Sequence, residues 1–265
     1  MYALSLIIYA VIGIGAGFLG GLLGMSGGIV TVPCLLLVFT LKGFPSVDLM
    51  QLAMGTSLAA MVFNAISATY SHNKAKAVDW ALVKAMLPGL VLGCIAGAFI
   101  SYLLTTTILA LIFGIFAITL GFYFYHFRSL PEVGPHPLPR KPILNLVGFG
   151  VSALSNILGI GGGTMMVPVF LGFRMPMRNA VGSSAATGFI ISLGGAISFL
   201  FFGLGETYYE HTIGFIYLPA FVVLAVTTFF SAPFGARLAQ RLASDKLKKY
   251  FALCLVAVGI FMILS

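Results

Sequence analysis

One glycine-rich phrase occurs twice in this chain, each time inside an apolar run where a helix would otherwise continue. Leu23-Gly24-Met25-Ser26-Gly27-Gly28-Ile29-Val30-Thr31-Val32-Pro33 recurs as Leu158-Gly159-Ile160-Gly161-Gly162-Gly163-Thr164-Met165-Met166-Val167-Pro168. Successive glycines make poor helix because each loses more backbone freedom on ordering than any other residue. In a membrane, such a break is tolerated only where protein encloses it or where it lines a polar cavity. Two breaks at corresponding places in two halves therefore point to a site between the halves.

The surrounding sequence makes that membrane setting unavoidable. Of 265 residues, 60% are hydrophobic and 8% charged, where a soluble domain carries roughly 25% charged residues. Apolar runs near or above ~18 residues recur, the length a helix needs to cross a bilayer. The fold class expected is an all-α polytopic membrane protein. The net charge of +8 does not suggest nucleic acid, because the Lys and Arg residues stand between apolar segments, as orientation signals do. Tyr70, Trp80, Tyr102 and Tyr208-Tyr209 suit the aromatic belts at the membrane surfaces. Met1-Tyr2-Ala3-Leu4 lacks the basic start of a signal peptide, so residues 3–22 read as a retained helix.

The apolar segments run approximately over 3–23, 27–41, 48–71, 79–102, 105–127, 143–159, 163–173, 177–204, 212–240 and 247–264. Pro131, Pro135, Pro137, Pro139 and Pro142 are too dense for a helix or a sheet interior. They mark a linker over 128–142 between a first repeat, 1–127, and a second, 143–265. Further pieces correspond. Gly55-Thr56-Ser57 matches Gly182-Ser183-Ser184, and Leu87-Pro88-Gly89 pairs loosely with Leu218-Pro219-Ala220.

The cations decide how the halves are related. If each glycine break only kinks a helix, the chain makes an eight-span bundle and Lys and Arg divide about evenly. If each break is a turn, each half has about five helical elements opening on a re-entrant hairpin, and the second half is inverted. Lys74, Lys76, Lys84, Arg128, Arg140, Lys141, Arg174, Arg178, Arg237, Arg241, Lys246, Lys248 and Lys249 then share one side, with only Lys42 opposite. That bias favours inverted repeats with both termini outside and the linker in the cytosol. The returning arms, 27–41 and 163–173, rise only about 16–22 Å and so begin at membrane depth.

A helix start offers unbonded N–H groups and a partial positive charge. Glycines there let a ligand reach the backbone. Gly24, Ser26, Gly27 and Gly28 in the first phrase, and Gly159, Gly161, Gly162, Gly163 and Thr164 in the second, are therefore candidate contacts for a small anion. Thr56, Ser57, Ser183 and Ser184 add hydroxyls, and Asn156 adds an amide; Asn64 is a further intramembrane amide. Ser and Thr in membrane helices also bond their own backbone, and small residues spaced by four also serve helix packing. For Gly89, Gly93 and Gly97 packing is the preferred reading.

Other chemistries find no support. Gly15-Ala16-Gly17-Phe18-Leu19-Gly20 matches a dinucleotide-binding spacing but follows no strand, and Gly24–Thr31 lacks the lysine of a phosphate loop. Cys34, Cys94 and Cys254 form no CxxC pair. His72, His126, His136 and His211 lack metal-ligand spacing. No carboxylate lies mid-span, so no buried acid for proton coupling is visible; Asp79 beside Trp80 reads as a helix cap. No metal, cofactor or catalytic residue is expected. The partners expected are a small anion and the bilayer, and self-association into a homo-oligomer stays open.

Taken together, the two glycine-proline phrases, Gly55-Thr56-Ser57, Gly182-Ser183-Ser184, Ala77-Val78-Asp79-Trp80 and Pro233-Phe234-Gly235-Ala236-Arg237 resemble the TauE/SafE family of sulfite exporters, also called the toluene-sulfonate uptake permeases. The resemblance implies a bacterial-type inner-membrane carrier of sulfite, a sulfonate or a related organic anion. The halves differ where Asn156-Ile157-Leu158 stands in place of Gly21-Leu22-Leu23. A membrane scaffold or assembly factor, and an intramembrane enzyme, are the competing readings.

Overall fold

The computed structural model describes residues 2–23, 27–126, 139–205, 210–239 and 244–264. Gly24, Ser26, Arg128, Pro131, Pro135, Pro137, Glu206, Tyr208-Tyr209 and Arg241 lie outside them. The described residues form ten helices: α1 (Tyr2–Leu23), α2 (Gly28–Leu41), α3 (Leu49–Lys74), α4 (Trp80–Leu103), α5 (Thr106–His126), α6 (Lys141–Leu158), α7 (Gly163–Gly172), α8 (Met177–Phe202), α9 (Leu218–Ala239) and α10 (Ser244–Leu264). Seven of them contain stretches long and apolar enough to cross a membrane. A two-residue hairpin, β1 (Thr212–Ile213) with β2 (Ile216–Tyr217), takes the start of the apolar segment expected as helix from 212. It lets Tyr217 present its backbone sideways before α9 begins.

Both arms are helices that start at a glycine N-cap, Gly27 for α2 and Gly162 for α7. At 14 and 10 residues they fall short of the ~30 Å hydrocarbon core. The second break is built by left-handed glycines. Gly159 (φ 65°) ends α6 and Gly161 (φ 66°) turns the chain again, conformations that a Cβ disfavours. The Gly159 N–H bonds the Asn156 carbonyl and the Ile160 N–H bonds the Ser155 carbonyl, each 3.1 Å, which closes α6 in a Schellman turn.

Helix packing exchanges between the halves. α1 lies along α9 while α6 lies along α4; α3 packs on α8, and α5 on α10. Glycines set these seams, because lipid supplies no hydrophobic drive between helices and close backbone approach must replace it. A Cβ at Gly89, Gly93 or Gly97 of α4 would strike the carbonyl of Asn145, Phe149 or Ala153 of α6, in that order. The rising order makes these two helices parallel. Gly13 and Gly17 of α1 meet Thr227 and Ser231 of α9, also parallel. In α5, Gly114 and Gly121 meet Ile263 and Ala252 of α10, an antiparallel order. α3 and α8 are antiparallel too: Gly55 approaches Phe199, and the Arg178 guanidinium bonds the Ala75 carbonyl at the other end.

Matched hydrogen bonds give the register of the two halves. The Tyr217 N–H donates to Thr56 Oγ1 and the Asp79 N–H to Ser183 Oγ, each at 2.9 Å. Gly55 backs on the Phe215 carbonyl as Gly182 backs on that of Ala77. Asp79 thus corresponds to Tyr217, and Leu218-Pro219 aligns with Trp80-Ala81. The pairing of Leu218-Pro219-Ala220 with Leu87-Pro88-Gly89 is corrected: Pro219 opens α9, whereas Pro88 lies well inside α4. Asp79 caps α4 as expected, accepting the Ala81 and Leu82 N–H groups at 3.0 Å.

Candidate functional site

A cavity of about 190 Å³ lies where α1, α3, α8 and α9 meet the start of α7. α3 forms one wall because it is the central helix, with 83% of its apolar stretch buried against 28% for α1. Asn64, Ser67 and Ser71 recur on one face of α3, and Ser184, Gly188 and Ser192 on one face of α8, the spacing that stacks side chains on a helix. Gly20 and Gly21 of α1 and Ala232 and Pro233 of α9 complete the sides, and Gly163 contributes at depth. His72 and Ala75 line the end at which Lys74, Lys76 and Arg178 also lie.

Several polar groups in this wall have no protein partner. Ser192 Oγ is buried without a hydrogen bond. Asn64, only 6% exposed, and Ser67 likewise bond nothing through their side chains, although the Ser67 carbonyl accepts from Ser71 Oγ at 2.9 Å. A buried polar group left unbonded costs about 1–3 kcal/mol, a cost that falls on Ser192 Oγ here, and with Asn64 and Ser67 beside it the wall suits a polar occupant. Gly163 is the first residue of α7, and its N–H has no acceptor within the helix. Its nitrogen would lie 3.2 Å from a Cβ at Gly188, so the absent side chain keeps that amide approachable. No Asp or Glu lines the cavity among the described residues.

Of the residues singled out in the sequence as polar or backbone contacts, Gly163, Ser184 and the further amide Asn64 reach this cavity. Ser184 Oγ donates to the Gly163 carbonyl at 2.9 Å, tying α8 to the helix start. The others take supporting positions. Thr56 and Ser183 hold the entries to α9 and α4. Ser57 Oγ donates to the Gly159 carbonyl at 3.1 Å. Gly159 packs on Met54, Gly162 on the Ile191 side chain, Gly27 on the Ala16 carbonyl and Gly28 on the Ile160 backbone. Gly161 makes the turn and Thr164 is buried. The two breaks thus touch at Gly28 and Ile160, yet the described part of the first does not line the cavity.

Asn156 stands apart, beside Cys94, Leu58 and Gly195. Its Nδ2 donates to the Ser152 carbonyl at 2.9 Å, while its Oδ1 is buried without a partner. Ser67, Ser71, His72, Gly188 and Ser192 are lining residues that sequence reasoning missed. The small and polar residues recurring every three or four positions along α3 and α8 were the available signal. No group of three metal-ligating side chains occurs among the described residues.

These features define a multi-pass, almost wholly helical membrane protein with a polar chamber beside a broken helix. The chain belongs to the TauE/SafE family: the model described as "Sulfite exporter TauE/SafE" matches residues 9–262. It is 33% identical to a probable membrane transporter protein of Haemophilus influenzae, over 98% of both chains. A probable membrane transporter protein of Methanocaldococcus jannaschii is 28% identical, over 99% of this chain and 97% of its own. The probable membrane transporter protein YunE of Bacillus subtilis is 27% identical, over 97% and 96% respectively. No solved structure matches the chain.

Proposed function

We propose that this protein is a secondary carrier of a small anion, working by alternating access between two inverted repeats in a bacterial-type inner membrane. The observation that carries the reading is the cavity itself: Asn64, Ser67 and the unpartnered Ser192 line it together with Gly163 at the start of α7, and no carboxylate is among its described lining residues. Neutral donors and a helix N-terminus stabilise an anion without trapping it as a fixed cation would. Hydrogen bonds to a charged group contribute about 1.5–3 kcal/mol each, net of the bonds to water that they replace.

The packing directions support the inversion. If each glycine break were a kink within one span, α3 and α8 would cross in the same sense, and so would α5 and α10. Both pairs run antiparallel. With the basic side in the cytosol, the cavity opens inward past His72. Family membership and the relatives' names favour transport over a scaffold or an intramembrane enzyme. Sulfite, a sulfonate or a related organic anion is the substrate class proposed.

The test is anion flux into proteoliposomes, using sulfite and a short-chain sulfonate. Gly188→Val covers the Gly163 amide and is expected to lower flux at least tenfold while the protein stays folded. Asn64→Leu is expected to raise the half-saturating anion concentration by about tenfold, as loss of one charge-assisted bond predicts. Undiminished flux in both variants would remove this cavity from the mechanism.

A further inference from the structure

The two halves of the protein can be laid on one another through the register above, and the cavity then acquires a counterpart. Gly21 of α1 pairs with Asn156 of α6, as the glycine phrases pair. Ala232 of α9 pairs with Cys94 of α4, in the same register that pairs Ser231 with Gly93. The contact between Gly17 and Ser231 has its equivalent in the contact between Ser152 and Gly93. On the central helices, Ser71 pairs with Ser198. Each donates its hydroxyl one turn back, to Ser67 at 2.9 Å and to Gly194 at 2.8 Å.

The counterpart region, between α3, α4, α6 and α8, is packed shut. At its mouth His72 and Ala75 are replaced by Phe199 and Phe202. Phe202 stacks on Tyr102 with ring centroids 6.0 Å apart, and Phe199 meets Phe215 edge-on at 6.4 Å. Because α8 runs antiparallel to α3, this mouth faces the opposite end of the bundle, the end that carries Lys42. At its depth lies the Asn156 Oδ1, fully buried and without a partner. An unpaired buried carbonyl oxygen calls for a reason, and packing against Leu58 and Gly195 supplies none.

We infer that this closed region is the second half of the pathway, sealed by the Phe199–Phe202–Tyr102 plug, and that exchanging the conformations of the two repeats opens it toward the Lys42 end. In that state Asn156 lines a hydrated passage and its Oδ1 gains a partner. The inference rests on the carrier reading, but its test does not depend on flux.

Cys94, with no exposed surface in this conformation, is a native reporter at the wall of the closed region. With Cys34 and Cys254 changed to alanine, it is the remaining thiol. A membrane-impermeant maleimide is applied to sealed vesicles from the Lys42 side. Phe202→Ala alone, and the exchange variant His72→Phe/Ala75→Phe/Phe199→His/Phe202→Ala, are compared with the parent. A minor state is about 0.1–10% populated, so bringing it to parity raises the labelling rate about fivefold or more. That rise, in either variant that elutes as a folded species, is the expected result. In the exchange variant a Ser71→Cys reporter, with Cys94 also changed to alanine, becomes protected from the opposite side.

Cys94 left unlabelled from the Lys42 side in folded Phe202→Ala and in the exchange variant overturns the inference. So does labelling only from the basic side. Anion flux with Cys94 still shielded sinks this pathway and spares the carrier; exchanged labelling without any anion flux sinks the carrier and spares the pathway.

Discussion

The open cavity and its closed counterpart are walled by equivalent helices and differ in side-chain volume. Gly21, Ala75 and Ala232 border space where Asn156, Phe202 and Cys94 fill it. The seams beside them are alike: Gly17 against Ser231 and Gly93 against Ser152 hold the outer helices at matching positions. The helix seams are thus matched between the halves, and under the proposed carrier mechanism unequal side chains select which end of the bundle is accessible. An exact repeat would have no such preference.

The seams give the sharpest way to break the comparison. Gly93→Val on α4 drives a branched side chain into backbone atoms of α6, which cannot move aside as a flexible side chain can. Overpacking costs about 1–3 kcal/mol even where neighbours adjust, so this variant is expected to yield little folded protein by size-exclusion chromatography. Gly150→Ala, with nothing within 4 Å of the added carbon, should match the parent; equal yields from both would undo the packing argument.

A smaller effect separates the two glycine phrases. A Cβ at Gly28 meets the Ile160 backbone, whereas one at Gly162 meets the end of the Ile191 side chain. Gly28→Ala is expected to lower the melting temperature in detergent by several degrees, reflecting a cost of about 1–3 kcal/mol. Gly162→Ala should lower it less, since Ile191 can change rotamer.

The smallest predicted effect tests the equivalence itself. Thr56→Ala and Ser183→Ala each remove the acceptor of one helix-entry amide. Each should cost about 1 kcal/mol, and the two melting curves should shift by similar amounts. A clearly unequal pair would show that the matched bonds differ in weight.

Much of this architecture was legible in the sequence. Apolar runs and glycine phrases placed the helices to within a few residues, except where the hairpin delays α9, because hydrophobicity and backbone freedom are local properties. Gly89, Gly93 and Gly97 were legible as a seam for the same reason. The site was legible only in part. Gly163 and Ser184 line the cavity, but Thr56, Ser57 and Ser183 proved to be ties between helices. A hydroxyl that contacts a ligand and one that holds a neighbouring amide look identical along a chain; their partners lie 161, 102 and 104 residues away. Ser67, Ser71 and Ser192 went unrecognised because nothing local distinguishes a serine facing a void from one facing lipid or another helix.

Composition and repetition by themselves determined that this chain is a membrane helical bundle in which one glycine phrase recurs at two breaks. Where each break points was decided by tertiary structure. The start of α7 faces a chamber because Gly188, on another helix, leaves room beside it, while Gly28 is covered by the Ile160 backbone. A helix start is polar wherever it occurs; whether it meets solvent or another segment depends on the volume of residues brought alongside it by the fold.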